Sequence, residues 1–405
     1  MLVASELHPD RASLFAANFP TTTMICGDLS DTRKEVTEMI SDRLGGSELD
    51  VLFATPPCQG MSKNGRGKLL RGVRDGCRPA LDPRNQLALL VPPFVWKFQP
   101  KMVVFENVPE MAGTLVENQE GELQNLLECL RDMMPNYHQS WQVVEFADYG
   151  VPQRRQRLIT LFIRGDVMPA LAKMSPTERS SILFPSPTHS QSPNLLERPW
   201  ITVNDAIGDL PPLDARSRET AEHPALPFHR VPVLDERKYW WVENTPEGAT
   251  AFDNKCADEA CNDFVSKKHT ASRVNGINRA STDTPIFCSR CGSLLPRPTV
   301  ETADGPRLMK GFTSAYKRMR ADLPSSAMTR NLSYACSDQK LHPSQNRVLS
   351  LHEAMCLQTI FDYDYKWVRP SGAKVSDKLI RDSIGESVPP RGLEVLFRHF
   401  VGLIC

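Results

Sequence analysis

The chain has 405 residues, 48 basic and 48 acidic side chains, 40% hydrophobic and 24% charged residues. That balance excludes wholesale disorder and leaves room for two or three domains, each able to bury a core. The longest apolar run, residues 87–96, is interrupted by Pro92-Pro93, and no basic stretch precedes an apolar run at the start, so neither a membrane protein nor a secreted one is expected.

In chain order, residues 2–7 read as a short strand ending near Glu6, residues 9–19 as a helix, and residues 23–26 as a strand followed by Gly27-Asp28. Residues 32–44 carry Val36, Met39, Ile40 and Leu44 at helical spacing. An apolar strand at 49–54 runs into Pro56-Pro57, a helix at 85–98 carries Pro92-Pro93, and a second apolar strand spans 101–106. A helix is predicted at 123–134, with strands at 140–146 and 157–163. Short apolar strands separated by helices indicate an α/β fold with a parallel, doubly wound, Rossmann-like sheet, in which ligands sit beyond the carboxyl ends of the strands. Glu6, Asp28, Cys58 and Glu106 all fall at such ends. Residues 168–233 hold 11 Pro in 66 residues, a loop-rich entry to a second region with one short helix predicted at 203–210. Residues 240–340 read as a smaller, irregular domain; helical periodicity returns from 347, and an apolar helix is predicted at 393–403.

Three segments carry candidate chemistry. Cys58 lies in Thr-Pro-Pro-Cys-Gln-Gly (55–60), where two prolines fix the backbone and Gly60 lets the chain turn away, presenting a thiol. Glu106 closes an apolar strand in Phe-Glu-Asn-Val, where partial desolvation suits an acid. Arg155 and Arg157 stand two apart in Gln-Arg-Arg-Gln-Arg (153–157), on one face of an extended segment. Taken singly, these are equally a small apolar cysteine, a capping carboxylate and a solvated basic loop. No His sits in a comparable motif to make Cys58 the nucleophile of a hydrolase.

Together and in this order, the segments resemble the DNA cytosine-5 methyltransferase family, as do His-Pro-Ser-Gln-Asn-Arg-Val-Leu-Ser-Leu-His-Glu-Ala-Met-Cys-Leu-Gln (342–358) and Ile-Gly-Glu-Ser-Val-Pro-Pro (384–390). The resemblance implies that Cys58 attacks carbon 6 of a flipped-out cytosine, that Glu106 contacts ring nitrogen 3, and that Arg155 and Arg157 hold the base. It implies S-adenosylmethionine as cofactor, with Glu6 on the ribose, Asp28 on the adenine, and Pro57 and Glu386 beside it. Many relatives carry Asn where Glu386 stands. The expected organisation is a catalytic methyltransferase domain at 1–205, a target recognition domain at 206–368, and a segment at 369–405 returning to the catalytic domain. Expected partners are double-stranded DNA, a cognate restriction endonuclease or a complementing N-terminal chain, in a bacterial cytoplasm near the nucleoid.

Five residues precede Glu6, where this family has a strand and a glycine-rich loop. The expectation is therefore a sheet missing its first strand, through a truncated start, a split enzyme or a degraded, non-catalytic DNA-binding relative.

Charge and cysteines bear on the same reading. Zero net charge argues against nucleic acid only as a sum. Residues 1–60 sum to −5, residues 61–85 to +5 and residues 262–330 to +7. The first basic tract fits the mobile loop that follows the cysteine in this family. Of the eleven cysteines, Cys256, Cys261, Cys288 and Cys291 form two pairs resembling a zinc ribbon, with His269 as an outside candidate ligand. Structural zinc is expected there, on a DNA-reading surface; unligated thiols are the alternative.

Overall fold

The computed structural model describes residues 1–57, 61, 82–118, 120–261, 267–269, 271–274, 277–280, 283–309, 315–336 and 339–404. Cys58 and most of the first basic tract lie outside them.

The chain opens with β1 (Val3–Glu6), α1 (Pro9–Asn18), β2 (Thr23–Cys26) and α2 (Leu29–Leu44). The helix α2 starts three residues before the predicted position because the Asp28 carboxylate caps it, accepting from Ser30 N at 2.8 Å. It stops at Gly45, whose φ of 54° is left-handed. Two strands follow, β3 (Val51–Ala54) and β4 (Met102–Asn107). Between them the predicted single helix is two pieces, a 3-10 segment at Pro83–Leu90 and α3 (Pro92–Phe98). Pro92 and Pro93 occupy the first turn of α3, where a missing N–H costs no hydrogen bond. The next helix, α4 (Leu126–Met133), is shorter than expected. Asn125 caps it, and residues 123–125 pair instead with 115–117 in an antiparallel ladder.

The main sheet has four strands in the order β3-β4-β6-β5, where β5 is Tyr137–Glu145 and β6 is Gln156–Arg164. It is not parallel throughout, as predicted: β3 and β4 are parallel, but β6 runs antiparallel to both of its neighbours. The link between β5 and β6 is about ten residues and contains no long helix, too short for a parallel crossover, so the last strand must reverse. A separate parallel pair is formed by β1 with β2. Among the described residues no ladder joins that pair to β3, although Val3, Ile25, Leu52, Phe94 and Phe98 share one apolar cluster.

The central strand β4 is buried on both faces, which is why it is apolar without alternation until its end. Val103, Phe105, Leu158 and Phe162 face α4 and the segment around Met111. Met102, Val104, Ile159, Leu161 and Ile163 face a helix from the end of the chain, α7 (Pro390–Ile404), through Leu396 and Phe400. A further core gathers Leu14 of α1, Val203, Met328, Leu332 and two helices, α5 (Leu351–Leu357) and α6 (Asp377–Glu386). Trp241, Val242, Phe252, Tyr316 and Leu341 form the core of the middle region. None of the described helices is long and apolar enough to cross a membrane.

Candidate active site

Polar residues stand at or just beyond the carboxyl ends of β1, β2 and β4. At the end of β4, Glu106 Oε1 meets Arg157 Nε at 2.7 Å, and both side chains are largely buried. The contact follows from register: β4 and β6 are antiparallel, with Glu106 opposite Ile159 and Asn107 opposite Leu158, so Arg157 falls beside the strand end. Burial pushes the Glu106 carboxyl above its ordinary range, and the guanidinium groups of Arg157 and Arg155 only partly oppose that push. The result is a carboxyl that accepts a proton more readily than an exposed one, yet is held in a fixed orientation.

Asn107, next along the strand, reaches across to the turn that leaves the neighbouring strand β3. Its side-chain amide donates to Pro56 O at 2.9 Å, while its Oδ1 accepts from Val108 N at 2.8 Å. The Pro56-Pro57 turn that leads into Cys58 is thereby tied to the strand end bearing Glu106. Pro57 is exposed.

Arg155 points elsewhere. It is buried and donates from Nη1 to Met328 O at 2.9 Å and from Nη2 to Gly385 O at 3.0 Å. Gly385 lets the backbone at 329–330 pack closely on α6, because a Cβ there would lie 2.3 Å from Arg330 N. Gln153 makes a parallel bridge: Nε2 donates to Gln358 Oε1 at 2.6 Å, and Oε1 accepts from Met328 N at 2.8 Å. Gln358 in turn donates to Ser387 O at 3.1 Å. Three segments distant in the chain, at 153–157, 342–358 and 384–390, thus meet in one polar bracket behind Glu106. Sequence reasoning singled out these segments but not Asn107, Gln153 or Gln358. The available signal was that each stands inside a motif as an amide side chain, able to donate and accept at once.

In the separate pair, β1 and β2 end side by side, with Glu6 opposite Cys26 and Gly27 N bonded to Glu6 O at 3.0 Å. Glu6 Oε1 accepts from His8 N at 2.9 Å. Hydrogen bonds from Ser30 hold the exposed Asp28 carboxyl below its ordinary range. Two carboxylates at adjacent strand ends, one opening a helix, suit the hydroxyls and amino group of a nucleoside. Glu386, at the end of α6, is engaged by Arg11 at 2.6 Å and Arg330 at 3.2 Å. It therefore joins α1 and α6.

The four cysteine candidates for a metal lie together. The sulfurs of Cys256, Cys261, Cys288 and Cys291 are all within 4.8 Å of one another. His269 is not among them: its Nδ1 is 2.6 Å from Thr284 Oγ1, and its ring stacks on Phe252.

The model of the C-5 cytosine-specific DNA methylase family matches residues 1–401. The chain is 28% identical to the type II methyltransferase M1.HgaI of Avibacterium volantium, over 98% of the chain and 91% of that protein. It is 24% identical to the type II methyltransferase M1.HphI of Haemophilus parahaemolyticus, over 96% of the chain and 77% of that protein. A crystal structure of a DNA modification methyltransferase encoded within an E. coli prophage matches the whole chain and 92% of its own, with a TM-score of 0.50 at 18% identity, a likeness of fold.

Proposed function

The chain belongs to the C-5 cytosine-specific DNA methylase family, a family of S-adenosylmethionine-dependent DNA methyltransferases, and from that premise we propose that it methylates carbon 5 of a flipped-out cytosine through a covalent Cys58 adduct. The observation that carries this reading is the Glu106–Arg157 pair at the end of β4, with Asn107 tying the turn before Cys58 to the same strand end.

In the proposed sequence, the Cys58 thiolate adds its electron pair to carbon 6 of the base. The ring electrons move toward nitrogen 3, where the protonated Glu106 carboxyl gives up its proton or shares it. Arg157 fixes that carboxyl in place, and Arg155, through Met328 O and Gly385 O, holds the strand that bears Arg157. Carbon 5, now electron-rich, takes a methyl group. Nitrogen 3 returns its proton to Glu106, carbon 5 loses its proton to a base, the electrons of that bond re-form the ring double bond, and the carbon–sulfur bond breaks with its electrons returning to Cys58. When bound, S-adenosylmethionine supplies the electrophilic methyl group. Glu6, Asp28, Pro57 and Glu386 would hold it, with Glu6 on the ribose and Asp28 on the adenine. Unstacking the base costs a few kcal/mol, recovered by contacts in the pocket.

Residues 206–368 are proposed as the region that reads the DNA target, between a catalytic region at 1–205 and its returning segment at 369–405. The named relatives suggest that this chain protects sites in double-stranded DNA from a cognate endonuclease. Transfer of labelled methyl groups to DNA should be lost in Cys58→Ala. A target cytosine with fluorine at carbon 5 has no proton to lose there, so the wild-type protein should stay covalently attached to it. Full activity in Cys58→Ala, or no adduct with the fluorinated base in an active enzyme, would overturn the assignment.

A further inference from the structure

We propose that Cys256, Cys261, Cys288 and Cys291 bind one structural zinc ion that clamps the base of a basic hairpin in the DNA-reading region. The hairpin is formed by β7 (Ala271–Val274) and β8 (Ile277–Ala280), paired antiparallel between the two cysteine pairs.

The sulfur geometry is that of a metal site. Cys256 and Cys291 sulfurs are 3.6 Å apart, and those of Cys261 and Cys288 are 3.8 Å apart. A regular tetrahedron with Zn–S distances of about 2.3 Å has edges of about 3.8 Å. Disulfides would need about 2.05 Å. The four thiols are unbridged, three are buried, and Cys291 is exposed, giving an ion a way in.

The backbone around them is shaped for a bound sulfur. Arg290 N lies 3.4 Å from Cys288 Sγ, the direction from which an amide stabilises a metal-bound thiolate. Gly292 N bonds to Cys288 O at 2.9 Å, and its φ of 76° closes the turn. The two halves of the site are also joined directly, through Ser293 Oγ to Asp258 at 3.0 Å and Arg290 Nη1 to Cys261 O at 3.3 Å. Four cysteine ligands fill a tetrahedron and leave no position for water or substrate, so the ion is structural.

The need for it is visible in the packing. Among the described residues, the local apolar cluster consists of Cys256, Cys261, Cys288 and Leu295. Such a core is too small to hold chain segments separated by 26 residues. Between the pairs the sequence carries Lys267, Lys268, Arg273 and Arg279 against Asp263 and Asp283. Below the site, buried Arg297 donates to Asn254 O, Lys267 O and Pro285 O, and Asn254 donates to Trp241 O. The hairpin is thus anchored to the main core at its root and closed by the cysteines. The metal site stands on its own geometry; the role in binding DNA rests on the reading of the chain as a DNA methyltransferase.

Metal analysis of the purified full-length protein should find one zinc per chain, and cobalt exchange should give the visible bands of a tetrahedral thiolate site. Cys256→Ser with Cys288→Ser should lose the metal. Removing zinc with a chelator should weaken DNA binding by about tenfold, as losing one or two phosphate contacts would. Binding of S-adenosylmethionine should stay unchanged, which separates loss of the clamp from general unfolding. Protein that contains no zinc and takes up neither zinc nor cobalt overturns the site. Metal-free protein with undiminished DNA affinity overturns the clamp. Metal content is read whether or not the protein methylates DNA, so failure of the methyltransferase reading would remain distinguishable.

Discussion

Glu106 sets stability against chemistry within one side chain. Its carboxyl sits where burial disfavours the charge, and only the guanidinium partners retain it. Glu106→Gln removes the proposed proton donor and keeps the shape. The turnover number should fall by about 10²–10⁴-fold. The melting temperature should not fall, because the fold does not favour the ionised form that is lost. A marked drop in melting temperature would instead make Glu106 a structural anchor for Arg157. In the wild type, the rate should decline as pH rises through the elevated pKa of Glu106, since the protonated form is then lost. Glu106, Arg155 and Arg157 were legible as a group because their motifs stand in a fixed order. That Arg155 serves backbone carbonyls 173 and 230 residues away was not, because such contacts are made by the tertiary fold and leave no local trace.

At the scale of elements, the segment entering α5 shows how a buried polar network fixes a turn. Burial pushes Glu353 up, but the paired guanidinium of Arg347, with contacts of 2.7 Å to each carboxylate oxygen, outweighs it and leaves the pKa low. Beside the pair, His342 Nδ1 accepts from Ser344 N at 3.3 Å and Gln345 N at 3.2 Å. Burial first, then the positive charge of Arg347, drives His342 from 6.5 down to about 4. A histidine depressed in the folded state binds more protons when unfolded across that window. Its contribution is present above pH 6.5 and is lost as pH falls toward 4. Urea denaturation should therefore show stability declining over that interval, by up to about 3 kcal/mol. His342→Gln should flatten the slope; an unchanged slope would mean that the imidazole is not the group responsible. The sequence placed a helix from about residue 347, but the helix begins at Leu351, because Ser350 and Glu353 close a capping box. The reciprocal bonds of that box decide the boundary, whereas apolar periodicity runs on past it.

Over the whole molecule, the α/β character was legible because apolar strands and amphipathic helices alternate along the first half. The reversal of β6 was not legible in periodicity, which is the same for parallel and antiparallel strands buried on both faces; the short connection was the clue. The middle region was least legible, since its elements are short and its core is assembled from residues 213 to 348. The formal neutrality of the chain is likewise a sum over an acidic start and two basic tracts. The sheet depends on the far end of the chain: Leu396 and Phe400 are fully buried against it. Phe400→Ala should cost about 3–5 kcal/mol in urea denaturation. A smaller loss would mean that the sheet face closes without α7.

That dependence also has a cost in time. A ribosome adding about 5–20 residues per second needs roughly 12–48 s to pass from the last sheet strand to the end of α7. Throughout that interval the apolar face served by Leu396 and Phe400 is without its cover. The nascent chain is then most open to aggregation and to chaperones, so slower synthesis at lower temperature should favour soluble yield only where chaperone capacity keeps pace. It also means that the closed sheet arrives late and all at once, after residues 206–368 have been made.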